Sequence, residues 1–230
     1  MKAVILAAGK GTRMLPLTLE KPKPMLEVLG KPILHHAFDT LPDEIKDVVL
    51  VVGYKDHVIR DYFGIEFEGR NITYVDGSET LGTGHALTLA KPHLGEDEKF
   101  LLLYPDNLYN KADLVTALQS GPGVVVHEVD EPNRFGVVST NEQGNITGIP
   151  EYSDNPPTNL AVTGAYVFDG NIFRYESVLD ERRKEYLINS MIEGYIKDFS
   201  LPALRTSFWV PLSYPEDIKK AEEILARKTL

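Results

Sequence analysis

Cysteine is missing altogether from the 230 residues, which excludes a disulfide framework, a thiolate nucleophile and a cysteine-built zinc site. No apolar run approaches the roughly 18 residues that a membrane-spanning helix needs. The opening Met1-Lys2-Ala3-Val4-Ile5-Leu6-Ala7-Ala8 has neither the length nor the flanks of a signal peptide. A cytoplasmic protein without a membrane partner is the expectation. Basic residues are outnumbered, 24 Lys and Arg standing against 34 Asp and Glu for a formal net charge of -10. Binding to nucleic acid draws on accumulated Lys and Arg, so no nucleic-acid partner is expected. The histidines at 35, 36, 57, 85, 93 and 127 lack metal-ligand spacing. The single tryptophan, Trp209, reads as a core residue.

What the chain does have is an ordinary globular composition, 43% hydrophobic and 25% charged, enough to bury a large core. Short apolar runs alternate with helical spacing. Strands are expected over residues 2–8, 47–53, 72–75 and 100–104. Helices are expected over residues 31–41, 55–63, 86–90 and 111–119. The second half is less regular, with a hairpin about residues 141–145, a strand over 163–168, and helices over 186–196 and 215–227. Such alternation implies right-handed crossovers and an α/β fold, a Rossmann-like three-layer sandwich on a mostly parallel central sheet. One domain is expected over residues 1–230, and Pro156-Pro157 marks only a loop. Ligands of such sheets bind at the carboxyl ends of the strands, so the loops after Ala8, Val75 and Tyr104 should gather at one edge.

The first of these loops carries a local excess of positive charge, with Lys10, Arg13, Lys21 and Lys23 against Glu20. Gly9-Lys10-Gly11-Thr12-Arg13 follows a buried strand, where glycines let the backbone approach an anion and turn its N–H groups inward. It is not a Walker loop, which needs G-x-x-x-x-G-K-[ST]. Nor is it a dinucleotide fingerprint, because Met14 stands where a third glycine belongs.

Its continuation, Met14-Leu15-Pro16-Leu17-Thr18-Leu19-Glu20-Lys21-Pro22-Lys23-Pro24-Met25, makes a poor helix or strand yet a specific string. Residues 9–25 closely resemble the signature loop of sugar-1-phosphate nucleotidyltransferases, which join a nucleoside triphosphate to a hexose 1-phosphate and release pyrophosphate. Leu81-Gly82-Thr83-Gly84-His85-Ala86 looks like the second nucleotide turn of that family, and Tyr104-Pro105-Asp106-Asn107-Leu108 like its metal-binding segment. Arg134-Phe135-Gly136-Val137-Val138 and the stretch 159–166 resemble its sugar-side elements, the latter as in thymidylyl- and uridylyltransferases acting on glucose 1-phosphate.

The resemblance implies the fold of the nucleotide-diphospho-sugar transferases, with a nucleotide-binding half over about 1–120 and a sugar-binding half over about 121–230. It implies an NTP and a sugar 1-phosphate as partners and Mg²⁺ as cofactor, and leaves homo-oligomerisation open. Arg13, Lys23 and Asp106 would be catalytic, with Asp106 the metal ligand. Leu6, Ala7, Ala8, Gly9, Gly11, Thr12, Gly77, Leu81, Gly82 and Thr83 would hold the nucleotide. Gly136, Glu151, Val162 and Thr163 would hold the sugar. No protein nucleophile is required, since the sugar phosphate attacks the α-phosphorus in line and catalysis rests on positioning and charge neutralisation.

The last third departs from the family pattern. Tyr152 stands where a lysine usually follows the sugar-binding glutamate. Glu185-Tyr186-Leu187-Ile188-Asn189-Ser190 replaces the string E-Y-E-L-T-D. Trp209-Val210-Pro211 replaces W-x-D, whose aspartate is a second metal ligand. Glu216 or Asp217 is a candidate replacement carboxylate, although in the family both begin the last helix. These departures keep two other readings open, a nucleotide-binding regulatory protein without efficient turnover and a transferase whose acceptor is not a hexose phosphate.

Overall fold

The computed structural model describes residues 1–150 and 155–228. Eight strands form one sheet: β1 (Lys2–Ala7), β2 (Asp47–Val52), β3 (Glu66–Phe67), β4 (Arg70–Asp76), β5 (Phe100–Leu103), β7 (Gly123–Glu128), β8 (Leu160–Phe168) and β9 (Ala203–Arg205). Their spatial order is β9-β7-β8-β5-β1-β2-β4-β3. A separate two-stranded ladder pairs β6 (Asn107–Tyr109) with β10 (Trp209–Pro211). The helices are α1 (Ile33–Thr40), α2 (Asp56–Phe63), α3 (Thr83–Ala90), α4 (Lys111–Ser120), α5 (Ile188–Asp198) and α6 (Pro215–Lys228).

The central strands are apolar on both faces because helices cover both. Along β1, Ala3, Ile5 and Ala7 join one core with Leu34 and Phe38 of α1, Ile59 and Phe63 of α2, and Leu114 and Leu118 of α4. Val4 turns the other way, into a second core with Leu87 of α3 and Ile188, Met191 and Ile192 of α5. This one-residue alternation is what makes three layers, and each fully buried Leu, Ile or Phe contributes about 1.5–3 kcal/mol relative to exposure. Helix ends follow local chemistry. Asn110 caps α4 by accepting from the Ala112 amide at 2.8 Å. Gly64, at φ 60°, ends α2 with its amide on Arg60 O at 2.9 Å.

The expected fold class holds, and so do the expected elements, with ends that move by a few residues. Pairing is parallel between β1 and β2, β1 and β5, and β2 and β4. The second half departs from the expected alternation, since β8 runs antiparallel to both β5 and β7. Strand β7 has no counterpart among the expected strands, and β9 joins its far edge in parallel. A register shift in β8 between Val162 and Tyr166 surrounds Gly164, whose φ is +79°. A Cβ on Gly164 would sit 2.8 Å from the Tyr104 ring, so the bulge lets Tyr104 lie close against β8 at the carboxyl end of β5.

Candidate active site

The carboxyl ends of β1, β2, β4 and β5 converge as the fold class requires. Ala8 O accepts the Tyr54 amide at 3.2 Å, across the ends of β1 and β2. At the end of β4, Gly77 is buried, and a Cβ there would sit 2.9 Å from that of Ala8. Leu6 and Ala8 lie half-buried at this edge, while Ala7 is in the core.

Beyond Ala8 the chain leaves the sheet through exposed Gly9 and Lys10. Gly11 adopts the left-handed region at φ 62°, and Thr12–Met14 forms a right-handed 3-10 turn. Alternation of this kind turns successive N–H groups toward one side. Among the described residues, the amides of Gly9, Lys10, Gly11 and Thr12 donate to no protein group. A Cβ at Gly11 would come within 2.7 Å of Lys23 Cβ, so the loop folds back upon a lysine near the end of the signature string. Thr18 Oγ1 donates to Gly11 O at 3.1 Å, Tyr54 OH donates to Thr18 O at 3.0 Å, and Lys55 Nζ donates to Leu19 O.

Lys23 is 8% exposed. Its Nζ donates to Asp106 Oδ2 at 2.6 Å, joining two residues 83 positions apart. Asp106 lies just beyond β5, and its Oδ1 accepts from Asn107 Nδ2 at 2.9 Å. The ladder fixes its surroundings. Pro211 lies opposite Asn107, Leu212 N donates to Asp106 O at 3.0 Å, and Trp209 Nε1 donates to Asn107 Oδ1 at 2.8 Å. Trp209 is thus a core residue, as its sequence context suggests, and an anchor for the residue beside Asp106. Tyr109 lies under the same loop with its hydroxyl 3.1 Å from both Tyr104 O and Thr163 O. Burial first, and the charge of Asp106 second, push its phenol well above the usual range.

A cleft of about 760 Å³ opens over this ladder. Arg13, Thr83, Asp106, Gly136, Val162 and Thr163 line it among the expected site residues. Arg13 is exposed, and its guanidinium lies 5.8 Å from the Tyr214 ring centre. Two of these residues have protein partners for their hydroxyls. Thr163 is 1% exposed and its hydroxyl donates to Val125 O at 2.8 Å, which ties β8 to β7. Thr83 Oγ1 accepts the Ile188 amide at 3.2 Å. Gly82, at φ 107°, packs so that a Cβ would sit 2.6 Å from Tyr186 O, which explains the glycine, while Leu81 is exposed. Glu151 and Tyr152 lie outside the described residues.

The cleft wall also carries residues to which sequence reasoning gave no role. Asn107, Arg183, Asn189, Tyr214 and Lys220 all face it. Asn107 and Asn189 lie within strings compared with the family above without being singled out, whereas Arg183, Tyr214 and Lys220 are brought in from separate segments that no quoted motif marks. Asp217 lines it too, but its Oδ2 accepts the amides of Ser213 at 2.9 Å and Tyr214 at 2.8 Å, which caps α6. Leu187 is buried at 9% exposure, where the family string has a carboxylate. Among the described residues, the one meeting of three metal-competent groups is His35, Asp39 and Glu68, with His35 Nε2 3.2 Å from Glu68 Oε1. Sequence spacing missed it because Glu68 is distant in the chain, and Lys31 already neutralises Asp39 at 2.7 Å.

The family model for nucleotidyl transferases matches residues 2–226. The chain belongs to that family. Among its nucleotidyl transferase relatives is the UTP–glucose-1-phosphate uridylyltransferase AglF of Haloferax volcanii, 41% identical over 240 residues that cover 100% of this chain and 98% of AglF. A Bacillus anthracis structure assigned as a glucose-1-phosphate thymidylyltransferase, with sucrose bound, matches with a TM-score of 0.86 at 27% identity. It covers 97% of this chain and 94% of that one. A UDP-glucose pyrophosphorylase in complex with UDP-glucose matches with a TM-score of 0.85 at 23% identity, covering 99% and 98% of the two chains, and shares the fold.

Proposed function

We propose that this nucleotidyl transferase moves a nucleoside monophosphate from UTP or dTTP to a hexose 1-phosphate, releasing pyrophosphate and forming an NDP-sugar. The observation that carries the reading is the 2.6 Å contact between Lys23 and Asp106, which joins the signature loop to the loop after β5 at the floor of the cleft. Both residues belong to strings that resemble the family's reacting centre, and folding has brought them together. The AglF likeness supports a uridylyl donor and glucose 1-phosphate as acceptor.

In this reading the amides of residues 9–12 receive the triphosphate, and Arg13 neutralises the pyrophosphate as it departs. Lys23 bridges the α-phosphate and the phosphate of the incoming sugar, holding two anions within reach of one another. An oxygen of the sugar phosphate attacks the α-phosphorus while the bond to the pyrophosphate oxygen breaks in line. Residues 1–120 hold the nucleotide and residues 121–230 the sugar, with Gly136 and Val162 at the wall of the cleft. Arg134, paired with Glu131 at 2.9 Å, and Arg183 line that wall.

Asp106 would hold Mg²⁺. Its carboxylate reaches the cleft at 30% exposure, and a hard cation of this size accepts one or two carboxylates together with substrate phosphates and water. The residues therefore fit a cation held by one protein ligand. When bound, it adds charge neutralisation on the phosphates.

The test is pyrophosphate release by purified protein with Mg²⁺ across UTP, dTTP, GTP, CTP and ATP, each with a panel of hexose 1-phosphates and with choline phosphate. Release requiring UTP or dTTP together with a hexose 1-phosphate is the expected outcome. Nucleotide binding in calorimetry without release under any pairing would sink the enzyme reading and favour the regulatory one, for which Pro211 speaks.

A further inference from the structure

We infer that the chain carries a cation site outside the cleft, in which His35, Asp39 and Glu68 take a divalent transition ion of the Zn²⁺ class. None of the three lines the cleft. His35 and Asp39 stand four residues apart on α1, a spacing that puts both side chains on one helical face. Glu68 comes from the edge of the sheet. With Gly69 it forms the two-residue turn between β3 and β4, at φ 50° and 73°, and its carboxylate reaches the face of α1. His35 Nε2 lies 3.6 Å from Asp39 Oδ1 and 3.2 Å from Glu68 Oε1, and the three ligand atoms fall within 4.8 Å of one another. A tetrahedral ion with bonds of about 2.0–2.1 Å needs its ligand atoms about 3.3 Å apart. The two distances from Nε2 lie on either side of that value, so an ion fits with small side-chain rotations and leaves a fourth place for water.

The histidine is held in the posture of a ligand. Its side chain is 15% exposed, its ring stands perpendicular to that of Phe67 with centres 4.8 Å apart, and Nδ1 lies 2.8 Å from Tyr62 OH. A metal-binding histidine commonly gives its other ring N–H to such a partner, which fixes the tautomer and aims the free nitrogen. With Nδ1–H donated to Tyr62, the Nε2 lone pair faces two carboxylate oxygens, and a cation between them relieves the meeting. Electrostatics favours the same ion. Asp39 is the last residue but one of α1, where the helix dipole is negative, and Glu68 adds a second anion beside it. Lys31 Nζ, 2.7 Å from Asp39, is paired with Oδ2 and leaves Oδ1 to the site. Two carboxylates against one ammonium keep the group negative. An imidazole beside carboxylates suits Zn²⁺, Ni²⁺ or Co²⁺, whereas Mg²⁺ keeps to oxygen ligands in an octahedron. The bound ion would clip the β3–β4 hairpin to α1 at the edge of the sheet.

The experiment measures Zn²⁺ binding by the full chain in millimolar Mg²⁺, by competition with a chromogenic chelator, and follows melting in parallel. Wild type should bind one Zn²⁺ per chain, and Asp106→Asn should bind it equally, since that residue belongs to the cleft. Glu68→Gln and Asp39→Asn keep the shapes of partly exposed side chains and each remove one charged ligand, so affinity should fall about a hundredfold or more. Tyr62→Phe, which removes only the partner of Nδ1, should cost about tenfold. Zn²⁺ should raise the melting temperature of the wild type and leave that of Glu68→Gln unmoved. Binding that survives Glu68→Gln and Asp39→Asn undiminished, or that is lost on Asp106→Asn, would overturn the inference by placing the ion elsewhere. A wild type that retains no Zn²⁺, or yields it to millimolar Mg²⁺, would overturn it too and leave His35 as the protonated partner of two carboxylates.

Discussion

Two segments that meet at Asp106 differ in what they bring to it. Residues 9–25 bring open backbone amides, an exposed arginine and a buried lysine, all suited to anions. The β10 strand brings Trp209, Val210 and Pro211, whose one polar contribution is the indole N–H that holds Asn107. The loop therefore carries the electrostatics and the strand the shape. Loss of a carboxylate at Pro211 leaves the ladder intact, because that pairing depends on backbone groups and on Trp209 rather than on the side chain at 211.

The largest way to break this contrast is Lys23→Ala. If the loop supplies the charge, turnover should fall by about 10³-fold or more, on the order of 4 kcal/mol, with the melting temperature changed far less. Unchanged turnover would remove Lys23 from the mechanism. Next in size is Gly11→Ala, which asks for a left-handed alanine with its Cβ 2.7 Å from Lys23 Cβ. Nucleotide kcat/KM should drop about a hundredfold, since both the turn and the lysine must shift. A neutral result would mean that the loop rearranges freely.

Trp209→Phe tests the other side. It leaves the buried Asn107 carbonyl without its donor, so stability should fall by about 2 kcal/mol in denaturant titration. Turnover measured well below the transition should stay within a fewfold of wild type. A large loss of turnover in a stable Trp209→Phe chain would mean that the strand takes part in the chemistry. The smallest effect is expected at Asp113, which anchors the segment leading into β10 by accepting from Thr206 Oγ1, Ser207 N and Ser207 Oγ. Burial raises its carboxyl, but these hydrogen bonds outweigh burial and hold it below the ordinary range of an aspartate. Its stabilising contribution is thus complete above about pH 4 and fades as pH falls through the lower folded value. Asp113→Asn should cost about 1 kcal/mol at pH 7, and its deficit should close as the wild type is acidified.

Most of the first half of the fold was legible because each strand there is a short apolar run and each helix has its own spacing and stop signal. The second half was less so. Strand β7 holds only three consecutive valines, Val124–Val126, shorter than the apolar runs read as strands in the first half, and β8 pairs antiparallel with partners distant in the chain. The loop of the site could be read from its string, and so could the change at Pro211. What could not be read was that Lys23 and Asp106 touch, that Thr163 turns its hydroxyl into the sheet, or that Asp217 is spent on a helix cap. The first two are outcomes of tertiary packing, with partners 83 and 38 positions away, whereas the cap is local and is settled by where α6 begins.

A third small core joins Met14, Leu26, Val28 and Ile33 to Val210, Leu212 and Ala221, with Ile218 and Leu225 packed against it. The underside of the signature loop is thus supplied by the last described helix. The loop precedes this floor in the chain, and seven of the eight strands of the large sheet lie between them. A growing chain would carry the loop past the synthesis of those seven strands without the apolar residues that pack against Met14 and Leu26, and would gain them only when β10 and α6 close beneath it.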